Sequence, residues 1–448
     1  SDKIANFIMK KLQSIEINDI YSLESLIKFY QEKCVEILTL NYDFDKDLII
    51  KVSFYSTLRF LNLLKLFPLL HDDYIEEIFL DSPSNYIYLN HRNYGRCRTN
   101  IFFTNNDIER VKTLIRIYSQ KRIDFNNPSL KFVLKNKYFN CRFSIDIKPI
   151  HPENFALTIR KFNNKIFTIQ NLLKNGTLDP LIASFLFFCM IYRINITVIG
   201  ETDSGKTTFV NALDLITPKY FRKIYVENIS ESLDQKEFGK HQLKYRVDSV
   251  SLTNNEVLTK SAQIRSLLHK TPDLIYLGEI LTKEESEAMF HCLAAGLTGF
   301  QTIHAKSVES FINRVLYHFK INRACLNDLG VLILMRKDIN LKRRVLSINE
   351  IIGVNEENEK YYREIFTYNP KLEKWFLKYD LYKTSIVQGL KNSEDFNFSK
   401  FWGLIRYYYT FFLKVSKSNL ISKNFLVELF NQLSQKTFLS EKTFFTNN

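Results

Sequence analysis

Apolar residues recur at mixed three-and-four spacing through residues 23–38 and 58–70, so the first stretch, about 1–70, is predicted helical. The period then changes to two. Ile75-Glu76-Glu77-Ile78-Phe79-Leu80 and Tyr86-Ile87-Tyr88-Leu89 predict strands around the turn Ser82-Pro83-Ser84-Asn85. Residues 108–119 return to a helical period, and 131–134, 139–147 and 155–162 predict three further strands. Asn163-Asn164-Lys165 is the candidate hinge. From Ile166 strands and helices alternate, the pattern of a parallel sheet with helices on both faces. The most apolar run, 181–192, is ended by Arg193, is too short to span a bilayer and is expected to be a core helix. Past about Asp380 the pattern is helical again, with Tyr- and Phe-rich amphipathic segments near 401–415 and 420–434. The expected organisation is a helical segment (1–70), an α+β domain (71–163), an α/β domain (164–380) and C-terminal helices (381–448).

In the alternating half, polar residues stand where strands should end. A β-branched run at 194–199 leads into Gly200-Glu201-Thr202-Asp203-Ser204-Gly205-Lys206-Thr207-Thr208, which fits G-x-x-x-x-G-K-[ST] at every fixed position. Glycines permit a tight turn whose backbone N–H groups point at a polyphosphate, and the next helix presents its positive end to the same oxygens. A Gly/Ser turn with a lysine can arise by chance, so context decides. Here a strand precedes the loop, and residues 207–213 show helical spacing until Pro218. This is read as a nucleoside triphosphate site, in which Lys206 is expected to reach the β- and γ-phosphates and Thr207 to ligate Mg²⁺.

Other predicted strand ends carry candidate chemistry. Residues 223–226 run into Glu227, 274–277 into Gly278-Glu279, and 300–303 into His304. Glu279 follows four apolar residues, and a carboxylate buried there is costly unless it binds a cation, water or donor. It is expected to polarise the attacking water or hold the Mg²⁺ shell. Glu227 and Glu231 remain alternatives for the general base, the other being a loop acid or helix cap. His304 is either a structural imidazole or a γ-phosphate sensor. Arg142 and Arg160 sit in strand-like segments, as surface charges or as charge supplied to the γ-phosphate.

Composition narrows the partners. A chain of 448 residues suggests two or three domains, and a hydrophobic share of 45% supports sizeable cores. The formal charge of +14, from 62 basic and 48 acidic residues, favours anionic partners. With no long run of like charge, a solvated basic surface is expected rather than a nucleic-acid face. Cys34, Cys97, Cys141, Cys189, Cys292 and Cys325 include no C-x-x-C pair, which argues against a zinc module and for reduced thiols in the cytoplasm. The first residues lack a signal pattern, so a soluble chain is expected.

Together these pieces resemble the secretion-ATPase superfamily, the motors of type II and type IV secretion, type IV pili and the archaellum. The resemblance runs from about Ile75 to Trp375 and is nearest to the archaeal branch. It rests on Tyr86-Ile87-Tyr88-Leu89-Asn90-His91-Arg92-Asn93-Tyr94-Gly95, on Thr158-Ile159-Arg160-Lys161-Phe162, and on four boxes in family order. These are the phosphate loop, Val226-Glu227-Asn228-Ile229-Ser230-Glu231, the Walker-B-like Pro272-Asp273-Leu274-Ile275-Tyr276-Leu277-Gly278-Glu279-Ile280, and Gly299-Phe300-Gln301-Thr302-Ile303-His304-Ala305. The sequence departs from the family at Asn228 (usually Asp), Leu281 and His269 and Thr271 (often Arg) and Leu297 (often His), and Gly278 takes the place of the usual Walker-B Asp. The resemblance implies a RecA-like ATPase domain using ATP and Mg²⁺, with Arg142 and Arg160 reaching the nucleotide. It also implies a homohexamer at the cytoplasmic face of the membrane, docked on a polytopic membrane protein near anionic lipid. Alternatives are a nucleic-acid-translocating ATPase and a weakly active nucleotide-gated scaffold.

Overall fold

The structure, a computed structural model, describes residues 2–15, 23–61, 63–83, 85–119, 122–135, 138–153, 155–162, 166–247, 259–338, 341–352, 361–390 and 396–444. The candidate hinge Asn163-Asn164-Lys165 lies outside the described residues. The chain divides into two compact units, Ser1–Lys165 and Ile166–Asn448.

The first unit begins with helices. The expected helix at 58–70 is split: one helix runs Lys46–Phe60, and a short one, Phe67–His71, restarts with Pro68 in its first turn. Proline is tolerated there because its missing N–H would have no helical partner. Six strands follow: β1 (Ile75–Leu80), β2 (Tyr86–His91), β3 (Gly95–Phe102), β4 (Ser129–Lys135), β5 (Asn140–Asp146) and β6 (Ala156–Lys161). They form an antiparallel sheet in the order β3-β2-β1-β6-β5-β4. Strand alternation sends Ile78, Leu80, Ile87, Leu89, Ile145, Leu157 and Ile159 into a core shared with Ile108, Val111 and Ile115 of the helix Asn105–Ser119. β3 was not foreseen, because its alternation of Arg96, Arg98 and Asn100 with Cys97 and Thr99 carries little apolar signal.

The second unit holds β7 (Ile196–Gly200), β8 (Lys223–Glu227), β9 (Gln242–Arg246), β10 (Leu274–Glu279), β11 (Gly299–His304), β12 (Val331–Lys337), β13 (Arg343–Ile351), β14 (Tyr362–Asn369) and β15 (Lys374–Leu377). The sheet order is β15-β14-β13-β12-β7-β11-β10-β8-β9. From β12 to β9 all neighbours are parallel. The parallel sheet expected for this half is present, and β13, β14 and β15 extend it antiparallel at one side. Short connections cause the change: parallel neighbours need a crossover of a dozen or more residues, and only residues 338–342 separate β12 from β13. β11 lies between the phosphate-loop strand β7 and β10, the RecA-like arrangement.

The apolar run becomes the helix Pro180–Ile191, capped by the Asp179 carboxylate accepting from Ile182 N at 2.8 Å. A helix apolar all round must be covered all round. The helices Phe398–Lys417 and Lys423–Phe444 supply that cover, with Phe187 packed edge-on at 5.0 Å from Tyr408 and 5.4 Å from Phe430. This packing accounts for the aromatic richness of the C-terminal segment. No helix among the described residues is long and apolar enough to cross a membrane.

Behind the phosphate loop, the helix Lys206–Leu215 ends in a fully buried ion pair. Asp214 accepts from Lys223 Nζ at 2.7 Å and Tyr225 Oη at 2.6 Å, and also from Gln235 Nε2. Lys240 Nζ closes the cluster by donating to the Leu215 and Thr217 carbonyls, each at 2.7 Å. The pair thereby ties β8 to the phosphate-loop helix, and Gln235 and Lys240 add the segment after β8. Removing one partner of such a pair leaves an uncompensated buried charge. Asp214→Ala is expected to lower the stability of this unit by about 3–5 kcal/mol. Urea melts followed by tryptophan fluorescence will read this unit alone, since Trp375 and Trp402 are the only tryptophans of the chain.

Candidate functional site

Parallel register brings the sequence candidates together. Gly200 pairs with His304 across β7 and β11, and Thr302 pairs with Glu279 across β11 and β10. Three strands therefore end at one edge, where open α/β sheets bind ligands. At Gly200 a Cβ would lie 2.4 Å from the Met335 carbonyl oxygen, so β12 leaves room only for glycine. Gly205 caps the following helix at φ 89° with no side-chain hydrogen bond to its first turn. The buried Ser204 hydroxyl likewise has no hydrogen-bond partner. Donors left this way at a helix start fit a phosphate group.

Within the loop, Glu201, Thr202 and Thr208 are exposed, whereas Lys206 is buried. Lys206 Nζ donates to the Gly200 carbonyl at 3.0 Å, the Glu201 carbonyl at 2.8 Å and His304 Nδ1 at 3.1 Å. An ammonium has only donors, so Nδ1 accepts in this contact and Nε2 is the ring nitrogen left over. That nitrogen faces the Glu279 carboxylate in close contact. Lys206, His304 and Glu279 thus form one hydrogen-bonded chain. Burial alone would raise the Glu279 carboxyl; the His304 hydrogen bond and the Lys206 and Lys260 charges outweigh it and hold Glu279 below its ordinary value.

The other two acids have different surroundings. The Glu231 carboxylate accepts from the Thr207 hydroxyl at 2.9 Å, beside the residue expected to ligate Mg²⁺. Glu227 is buried and accepts from the Glu231 and Ser232 amides at 3.2 and 2.9 Å and from the Ser232 hydroxyl at 2.5 Å. Burial raises its pKa, opposed by those Ser232 bonds and by Lys244. Its oxygens anchor the segment that carries Glu231. Of the two residues expected at the metal, Thr207 therefore contacts Glu231, whereas Glu279 contacts His304.

Arg142 and Arg160 belong to the first unit. They face each other across β5 and β6, and Arg160 pairs with Glu77 of β1.

Several polar contacts about the site gave no motif signal. Asp203 sits in the phosphate loop at a positive φ of 64°. Its carboxylate is held by Lys337 at 2.6 Å and Arg343 at 2.5 Å, paired residues on either side of the β12–β13 turn. Those cations, against the pull of burial, keep its pKa low and neutralise an acid that would otherwise repel phosphate. Lys260 precedes β10 and Glu285 follows it, both outside all four boxes.

A model of the family described as Type II/IV secretion system protein matches residues 103–349. An uncharacterized protein of Methanocaldococcus jannaschii is 29% identical over 296 residues, covering 63% of this chain and 40% of that protein. The type IV secretion system protein PtlH of Bordetella pertussis is 26% identical over 195 residues, covering 39% of this chain and 57% of PtlH. The chain thus spans less than two thirds of either relative. Among solved structures, the pilus retraction motor PilT with bound ADP overlaps 66% of this chain and 83% of its own, at 19% identity and a TM-score of 0.48. The family match covers more than half of the sequence and takes in the phosphate loop, the acidic box and the strands ending at Glu279 and His304, so this chain belongs to the type II/IV secretion system protein family.

Proposed function

We propose that the protein is a Mg²⁺-dependent ATPase, working as a homohexameric motor for a type IV pilus-like or archaellum filament or for type II/IV secretion. The observation that carries this reading is the hydrogen-bonded chain from Lys206 through His304 to Glu279 at the mouth of the phosphate loop. Lys206 and the loop amides would bind the phosphates, and the Thr207 hydroxyl and Glu231, in contact with each other, would hold the cation. Bound Mg²⁺ would neutralise charge on the phosphate oxygens. Glu279 orients the attacking water, and His304, hydrogen-bonded to both Glu279 and Lys206, couples its position to the γ-phosphate. Arg142 and Arg160 keep, in this proposal, the role the family resemblance implies: charge supplied to the phosphates.

A ring suits a motor because a head-to-tail interface closes when its rotation permits, and one subunit's change then strains its neighbour. The excess of basic residues would hold it near an anionic leaflet, beside a polytopic membrane partner. Phosphate release from Mg-ATP is expected to rise with protein concentration as rings assemble, and again on adding vesicles containing anionic lipid. Single-stranded DNA is expected to give no stimulation. Absence of phosphate release at any concentration, with nucleotide still bound, would replace the motor by a nucleotide-gated scaffold.

A further inference from the structure

Lys260 and Glu285 form an ion pair that is almost wholly buried, at 1% and 3% exposure. Lys260 opens the helix Lys260–Ser266, and Glu285 lies in the first turn of the helix Lys283–Ala294. Their charged atoms are 3.4 Å apart. Glu285 has an ordinary explanation. Thr282 caps its helix, and Thr-x-x-Glu is the spacing of a capping box. A capping-box glutamate needs no buried cation, however, and a buried ion pair is weak support for stability, since apolar residues of similar volume do as well.

The pair's remaining contacts show what it holds. Lys260 Nζ donates in close contact to the carbonyl oxygen of Glu279. The Glu285 carboxylate accepts from the amide of Leu281 at 2.9 Å. Between them, Ile280 N donates to the Thr302 carbonyl at 2.9 Å, and its side chain is fully buried. The main chain leaving β10 is therefore fixed at three successive residues. The Glu279 side chain starts from that main chain and ends against His304.

We infer that Lys260 and Glu285 are positioning residues for ATP hydrolysis: gripping the backbone on both sides of Ile280, they set the Glu279 carboxylate against His304. This rests on the ATPase reading above. The phosphates are bound by a separate element, so loss of the pair alters turnover rather than affinity.

The test compares Lys260→Met, Glu285→Leu and the double variant Lys260→Met/Glu285→Leu with the unaltered chain. Removing one charge endangers folding, whereas apolar replacement of both preserves it. All variants that fold are expected to bind a fluorescent ADP analogue as the unaltered chain does. Their kcat for Mg-ATP is expected to fall by about 10- to 100-fold, the usual effect of losing an outer-shell partner, with KM unchanged. Loss of the acceptor in the double variant should speed amide hydrogen exchange at Leu281 by about tenfold. A merely structural pair predicts the opposite for the double variant: restored stability with restored kcat. A folded double variant with unaltered kcat, or with unaltered exchange over residues 279–281, overturns the inference. If the unaltered chain hydrolyses no ATP, it is the ATPase reading that fails, and the exchange comparison, which needs no nucleotide, still decides whether the pair holds this backbone.

Discussion

Lys206→Ala is expected to abolish phosphate release from Mg-ATP, a loss of at least about 10³-fold. The ammonium is the only cation inside the loop motif and would sit against the phosphates as charge develops on them. It also has a structural duty, because the Gly200 and Glu201 carbonyls and His304 Nδ1 all accept from it. Alanine leaves those acceptors without their donor in a largely buried place, at a cost of about 1–3 kcal/mol. A melt run alongside the turnover assay separates the two effects. A folded Lys206→Ala protein that releases phosphate at the unaltered rate would remove the phosphate loop from the chemistry.

Glu279→Gln should leave nucleotide affinity intact while turnover falls by at least about 10²-fold. The substitution keeps size, and the Gln carbonyl still accepts from His304 Nε2. What disappears is the negative charge proposed above to orient water. Because Lys206 binds His304 at its other nitrogen, the phosphate-binding end of the chain is undisturbed. Equilibrium binding of a fluorescent ADP analogue and steady-state phosphate release measure the two quantities separately. Normal values for both would make Glu279 structural. Glu231 then becomes the first suspect, because it touches Thr207, whereas one Glu227 oxygen is taken by the Glu231 and Ser232 amides and the other by the Ser232 hydroxyl.

The distinction among the three acids shows where sequence reading stops. Each was placed at or just past a strand end, and apolar runs before Glu227 and Glu279 mark such ends well. Periodicity tells how a backbone runs but not which neighbours a side chain meets. Glu227 turns into the segment behind it, Glu231 reaches the phosphate-loop helix, and Glu279 meets a histidine from the adjoining strand. The unforeseen strands failed for a related reason. β9 and β15 are short, partly exposed pieces at the two sheet edges, and the longer β14 lies beside one of them, where packing rather than propensity sets the conformation.

The sequence by itself determined the phosphate loop, the alternation of strands and helices around it, the apolar helix at its back and the order of the four boxes. These are local properties: a turn that needs glycine, a period of two or of 3.6, a lysine and hydroxyl at adjacent positions. Tertiary structure alone decided which polar groups meet. Parallel pairing put Gly200 level with His304 and Thr302 level with Glu279, joining residues far apart in the chain into one site. The Lys260–Glu285 grip, the hold of Lys337 and Arg343 on Asp203, and the buried Asp214–Lys223 pair left no mark in the sequence. A charged residue looks the same on paper whether it faces water or the core, and only packing removes the water that would otherwise solvate it.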